Sequence, residues 1–155
     1  MRTVFKTLAF VICGLVMLQA ASHAWVSAGI AKYVAAGGDI TMGTSDGAPP
    51  FPEAAGFMIH AMNGMFVIPL AAALLVIVAF LAKIPGGVAY AGLVLALTVV
   101  QVLLGLLGHG MTALAFLHGL VAMALFAAAL LAGLRANRSR TTPGNHPAAA
   151  TAATH

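Results

Sequence analysis

The sequence has very little charge and very few acids. Of its 155 residues, 6% are Asp, Glu, Lys or Arg, and 62% are hydrophobic. Soluble globular domains carry about a quarter charged residues, so this composition excludes an ordinary water-soluble fold. A single cysteine, Cys13, also excludes an intramolecular disulfide. We therefore expect an integral membrane protein whose main partner is the lipid bilayer.

The few charged residues are distributed unevenly along the chain. All three acids, Asp39, Asp46 and Glu53, lie in segment 37–53, a Gly- and Pro-rich stretch that we interpret as an outer loop. Six of the seven basic residues flank the apolar runs elsewhere: Arg2, Lys6, Lys83, Arg135, Arg138 and Arg140. The positive-inside rule then predicts that both termini are cytoplasmic, with Lys32 as the one basic residue outside. Basic residues that mark helix ends do not favour a nucleic acid partner.

Four apolar runs are long enough to cross a bilayer. A hydrocarbon core of about 30 Å needs roughly 20 helical residues at about 1.5 Å each. The runs cover about residues 7–29, 56–82, 87–108 and 112–134. Short turns between the last three runs predict antiparallel neighbours, so we expect an all-α, up-down-up-down four-helix bundle over residues 1–136. The tail 137–155 lacks large apolar residues and is predicted to be disordered in the cytoplasm.

The first 24 residues share features with a secretory signal peptide. A basic start and an apolar run lead to Ala-Ser-His-Ala, which ends at Ala24 and is similar to a cleavage site. The apolar run nevertheless continues to Ile30, which makes it long enough to span. Trp25 and Tyr33 also suit the outer interfacial belt. We expect this segment to be retained as the first helix.

The predicted spans contain no carboxylate and no lysine, but they do contain histidines. A proton-coupled transporter would lack its usual relay groups, and no filter motif or ring of charge favours a channel. No acid lies near a membrane histidine, so a hydrolase is not favoured either. Because an ionisable side chain is costly in hydrocarbon, an intramembrane histidine is a functional hypothesis.

Two histidines are predicted to lie at similar depth on diagonal helices. His60 is eight residues after Pro52, and His118 is six residues after Thr112. These spacings place them about 12 and 9 Å from the outer helix starts. In an up-down bundle the second and fourth helices face each other. Histidines on these two helices could therefore bind a haem iron from opposite sides, as two axial ligands do. The matched depth favours a ligand pair over two separate structural histidines.

Other polar or small residues could belong to the same site. His23 has a similar depth on the first helix, and Gln19 lies one turn from it, so the two could form a polar network or contact a haem propionate. His109, in the outer turn, is predicted to be a rim residue that contacts a haem propionate or solvent rather than a metal ligand. Gly64, one turn along the second helix from its histidine, would leave room for a flat macrocycle. Gln101 is interpreted as an interhelical hydrogen-bonding group.

Several short motifs resemble one four-helix half of haem A synthase. They are Phe57-Met58-Ile59-His60-Ala61-Met62-Asn63-Gly64, Gln101-Val102-Leu103-Leu104-Gly105 and Leu117-His118. The likeness covers roughly residues 5–134, and the chain is also similar to small, uncharacterised actinobacterial membrane proteins that share this half-bundle. The resemblance implies that His60 and His118 ligate haem b. It also implies a multi-pass protein of a bacterial plasma membrane.

The chain departs from haem A synthase in ways that leave the synthase activity unsupported. It has one half rather than two, and its outer loop has no cysteine pair. Met58 and Ile59 precede His60, where the oxidising half of the synthase carries a glutamate, and Glu53 is seven residues away. What the resemblance still implies is a haem b-binding bundle that is an electron carrier, a haem sensor or an accessory in a respiratory or haem pathway, with no catalytic residue. A quinone or an extracytoplasmic redox protein would be the partner, and the chain could form a homodimer.

A copper-binding membrane protein is the main alternative. Methionine thioethers bind Cu(I) well, and four methionines crowd the outer end near His60 and His109. They are Met58, Met62, Met65 and Met111. Methionine is also a common packing residue. The two alternatives differ in their ligands, because haem would be bound by His60 and His118 and copper by the methionines at the outer rim. A purely structural subunit, whose histidines satisfy one another, is the third interpretation.

Overall fold

The computed structural model describes residues 1–39, 50–108 and 110–138. In these residues it contains four long helices: α1 (Arg2–Ala35), α2 (Pro52–Ala82), α3 (Gly87–Leu107) and α4 (Thr112–Arg138). Each helix is long and apolar enough to cross a membrane, which confirms the predicted all-helical membrane protein with four spans. α4 continues two residues into the predicted tail. The rest of that tail, and most of the predicted outer loop, lie outside the described residues.

Helix α1 is longer than its apolar run. The predicted span is about 7–29, whereas the helix begins at Arg2 and continues to Ala35. Hydropathy detects only the lipid-compatible part of a helix, and polar residues at both ends extend this one further. The end is a Schellman motif, in which Gly37 adopts a φ of +85° and donates its N–H to the carbonyl of Val34 at 2.9 Å.

The helices pack side by side in a ring. α1 contacts α2 and α4, and α3 contacts the same two helices, so α2 and α4 lie opposite each other. The core is rich in buried alanines, which let helix backbones approach closely where lipid provides no hydrophobic driving force. These alanines include Ala9, Ala72, Ala79, Ala91, Ala129 and Ala132. Residues of α2 and α4 can therefore meet across the centre of the bundle.

Helix α2 changes its winding near the histidine. It consists of a 3₁₀ turn (Pro52–Ala54), an α-helical part (Ala55–Met62), a π-helical turn (Asn63–Val67) and a second α-helical part (Ile68–Ala82). Pro69 has no N–H to donate to the preceding turn, which is a physical reason for the local rewinding. A π turn inserts an extra residue into an α-helix, so it rotates the faces on its two sides by about 100° relative to each other.

Arg135 ties α4 to the turn between α2 and α3. Its Nε donates to the carbonyl oxygen of Pro85 at 2.8 Å, and its guanidinium lies 5.4 Å from the centre of the Tyr90 ring. We expect Arg135→Ala to lower the free energy of unfolding by about 1–2 kcal/mol, because a charged hydrogen bond and a cation–π contact are lost together. The stability of Arg135→Lys should lie between those of the wild type and Arg135→Ala, since lysine keeps the charge but lacks the planar guanidinium. Thermal unfolding in detergent measures both, and equal stability of all three proteins would contradict the expectation.

Candidate functional site

The two histidines predicted as a pair lie next to each other in the structure. His60 comes from α2 and His118 from α4, on opposite sides of the ring of helices. Their ring centroids are 6.2 Å apart and their planes are inclined at 48°. Two imidazoles are thus brought together within an apolar bundle, where each is costly unless it has a partner.

Each of these rings makes the same kind of hydrogen bond to a neighbouring helix. The Nδ1 atom of His60 lies 3.1 Å from the carbonyl oxygen of Gln19, and the Nδ1 atom of His118 lies 3.1 Å from that of Gln101. A carbonyl oxygen only accepts, so each Nδ1 carries the proton and donates it. In a neutral imidazole this leaves Nε2 with a free electron pair. In metal-binding histidines, the ring nitrogen that does not touch the metal commonly donates a hydrogen bond of this kind.

The arrangement is repeated in the two halves of the chain. In the first half, a glutamine of α1 provides the carbonyl that holds a histidine of α2. In the second half, a glutamine of α3 does the same for a histidine of α4. The repetition makes an accidental contact a poor explanation for either hydrogen bond. It also means that the two rings are presented in the same tautomer.

The residues one turn beyond the two glutamines differ. His23 follows Gln19 by four residues, and its ring centroid lies 5.4 Å from that of His60. The corresponding residue after Gln101 is Gly105, where an added Cβ would lie 3.2 Å from Cε1 of His118. The His118 ring therefore rests against the backbone of α3, whereas the His60 ring has a second ring beside it. His23 belongs to the cluster, and its predicted role in contacting a cofactor stays a prediction.

Gly64 and Gln19 have different neighbours from those expected. An added Cβ on Gly64 would lie 2.5 Å from Nε2 of Gln19, so the space beside this glycine is taken by the glutamine amide. Gln19 is paired with Asn63, whose Nδ2 donates to Oε1 at 2.9 Å, rather than with His23. The use of Gly64 as a pocket residue stays a prediction.

Two amide side chains, those of Asn63 and Gln101, complete the surroundings of the histidines. Asn63 is only 5% exposed and was not singled out by sequence reasoning, although an asparagine inside an apolar run is itself a signal. The amide oxygens Oδ1 of Asn63 and Oε1 of Gln101 are buried with no hydrogen-bond partner among the described residues. Gln101 contacts the neighbouring helix through its backbone carbonyl, and its side-chain oxygen makes no such bond.

The methionines of the copper alternative lie on the outside of the bundle. Met58, Met62, Met65 and Met111 are 44–66% exposed. In the described part of the chain, no group of three or more His, Cys, Asp or Glu side chains is arranged to hold a metal ion. His109 lies outside the described residues, so its predicted place at the rim stays a prediction.

Comparison with protein families, with curated proteins and with solved structures finds no match for this chain. The resemblance to half of haem A synthase therefore remains a prediction from short motifs. Any functional conclusion depends on the site itself.

Proposed function

We propose that this chain is a haem b-binding integral membrane protein in which His60 and His118 are the axial ligands. Its role is electron transfer, or that of an accessory in a respiratory or haem pathway. The observation that supports this most is the pair of adjacent imidazoles, each held through Nδ1 and each with a free electron pair on Nε2.

The two rings are far enough apart to hold one metal ion between them. Metal–nitrogen bonds of histidine are about 2.0–2.1 Å long, and the ring centroids of His60 and His118 are 6.2 Å apart. If both Nε2 atoms faced the space between the rings, the two imidazoles would hold the haem iron.

The surroundings of the pair suit a one-electron carrier. A bis-histidine haem supplies reversible one-electron chemistry, without an open coordination position for oxygen. The carbonyls of Gln19 and Gln101 hold the two imidazole protons at Nδ1 and increase the basicity of Nε2. The bundle contributes a dry environment, which influences the reduction potential.

The orientation of the bundle in the membrane follows from the positions of its basic residues. The helices run up and down in alternation with both termini in the cytoplasm of a bacterium, because basic residues cluster at that side. The histidine pair then lies towards the outer face of the plasma membrane. A quinone or an extracytoplasmic redox protein would exchange electrons there, and a second copy of the chain could pack beside it.

A spectrum of the purified protein tests the proposal. The chain is expressed in membranes with a supply of haem, purified in mild detergent, and examined by reduced-minus-oxidised absorption and metal analysis. We expect one haem per chain with a low-spin b-type spectrum. A colourless protein that contains copper would support the methionine alternative, and one that contains no metal would leave a structural subunit; either result rejects haem binding.

A further inference from the structure

A polar contact between α1 and α2 lies one turn from His60. The side-chain nitrogen of Asn63 donates one hydrogen bond to the carbonyl oxygen of Leu15 and another to Oε1 of Gln19, both at 2.9 Å. Both acceptors lie on α1, and Gln19 is also the residue whose carbonyl accepts from His60. Three hydrogen bonds thus join the two helices within about one turn.

The orientation of the Asn63 amide is fixed by its partners. Both neighbours of its nitrogen are oxygens, so exchanging the nitrogen and oxygen of this amide would place three acceptors together. The consequence is that Oδ1 is buried without a donor among the described residues. In hydrocarbon an unsatisfied acceptor is costly, and a leucine of similar size would avoid the cost. The two N–H groups must therefore provide something that an apolar side chain does not.

The local backbone is built around the same contact. Asn63 is the first residue of the π turn, whose extra residue sets the face that α2 presents on the His60 side of the turn. Gly64 follows directly, and its missing side chain leaves the space that the Gln19 amide fills. A larger residue at position 64 would push that amide away from Asn63. The position of the Gln19 side chain is therefore fixed by the π turn, by Gly64 and by Asn63 together.

We propose that Asn63 and Gln19 are positioning residues, which fix the α1 carbonyl opposite His60 and thereby hold this imidazole in its Nδ1–H tautomer. The carbonyl is useful to His60 only while α1 and α2 keep their register. Asn63 of α2 fixes that register, because its side chain donates to both a backbone carbonyl and a side-chain oxygen of α1. His118 has no such asparagine, and its ring rests directly on α3 beside Gly105.

This inference rests on the proposed function in one respect, which is that the free electron pair on Nε2 of His60 binds haem iron. The tautomer itself can be measured on the full-length protein in lipid without haem. Nitrogen NMR of histidine-labelled protein distinguishes a protonated from an unprotonated ring nitrogen, and His60→Ala and His118→Ala assign the signals. In the wild type we expect both rings as a single Nδ1–H tautomer.

Two variants break the contact from opposite sides. Asn63→Leu removes both N–H donors at similar size, and Gly64→Ala displaces the Gln19 amide. In both we expect the Nε2–H form of His60 to rise to at least half of the population, while His118 keeps its Nδ1–H signal and so shows that the bundle is still folded. Thr98→Val is the matched control, because Thr98 is buried like Asn63, but its hydroxyl donates to the Val94 carbonyl of its own helix and to no other helix in the described part of the chain.

The outcomes separate this inference from haem binding. A His60 ring that stays entirely Nδ1–H in Asn63→Leu would overturn the positioning role, and so would an equal change at both histidines. A protein that shows the expected tautomer change but never binds haem would reject the proposed function and leave this inference intact. In haem-loaded protein, the same two variants should shift the reduction potential, whereas Thr98→Val should not.

Discussion

Replacing either His60 or His118 with alanine is expected to abolish the low-spin haem spectrum. If the two rings supply the two axial positions, as proposed, neither can compensate for the other. We expect haem retention to fall by more than about tenfold in each variant, because the loss of only a hydrogen-bond partner of a ligand already costs about 10–100-fold in affinity. Any haem that remains should be high-spin and five-coordinate. Absorption and paramagnetic resonance spectra of the purified variants measure both effects.

His23→Ala is the matched control for these two variants. His23 is also a histidine of the cluster, 5.4 Å from His60, but among the described residues no backbone carbonyl holds its ring as the other two rings are held. We expect it to keep haem and a low-spin spectrum. Added imidazole should restore the low-spin signal in His60→Ala and His118→Ala by entering the space left by the ring. Loss of haem in His23→Ala with retention in His118→Ala would show that the ligand pair has been assigned wrongly.

Gly56→Ala is expected to cause a large loss of stability at the contact between α1 and α2. A Cβ on Gly56 would lie 2.5 Å from Cγ2 of Val26 and 2.7 Å from the carbonyl oxygen of Ser22. A backbone oxygen cannot turn aside as a flexible side chain can, so the two helices must separate. Overpacking of this kind costs about 1–3 kcal/mol. Thermal unfolding in detergent measures the loss of stability. Gly56→Val should lose more stability than Gly56→Ala, because its side chain is larger.

Gly92→Ala tests whether the effect comes from crowding. Gly92 is also in a helix, but a Cβ there would have nothing within 4 Å. Its replacement should leave stability unchanged or raise it by up to about 1 kcal/mol, because alanine is the better helix former. If Gly56→Ala and Gly92→Ala unfold at the same temperature, the close approach of α1 and α2 has no energetic importance.

The spans and the histidine pair could be predicted from the sequence because both depend on distance along a helix. Lipid demands about 20 apolar residues, and a fixed rise per residue converts the positions of His60 and His118 into depth. Neither inference requires knowledge of which side chains touch. The structure has four helices long and apolar enough to cross a membrane, and it places the two rings side by side.

The partners of Gln19 and Gly64 could not be predicted, because they depend on the direction in which a face points. A regular α-helix through residues 56–82 would keep its faces in line, whereas the π turn at Asn63 rotates them by about 100°. The sequence also favours the glutamine side chains as the polar groups, whereas the backbone carbonyls of Gln19 and Gln101 hold the histidines. No periodicity reveals which carbonyl accepts a second hydrogen bond.

The length of α1 has a consequence for the ion pair at its end. Its 34 residues extend about 51 Å, so even a tilt of about 40° leaves it longer than a hydrocarbon core of about 30 Å. The end that carries Lys32 can therefore lie among lipid headgroups, where dissolved ions reach it. Lys32 is 80% exposed and its Nζ lies 3.6 Å from Oε1 of Glu53, so salt should screen this pair. The attachment of α1 to the start of α2 then depends on shape rather than charge, and it should persist at high ionic strength.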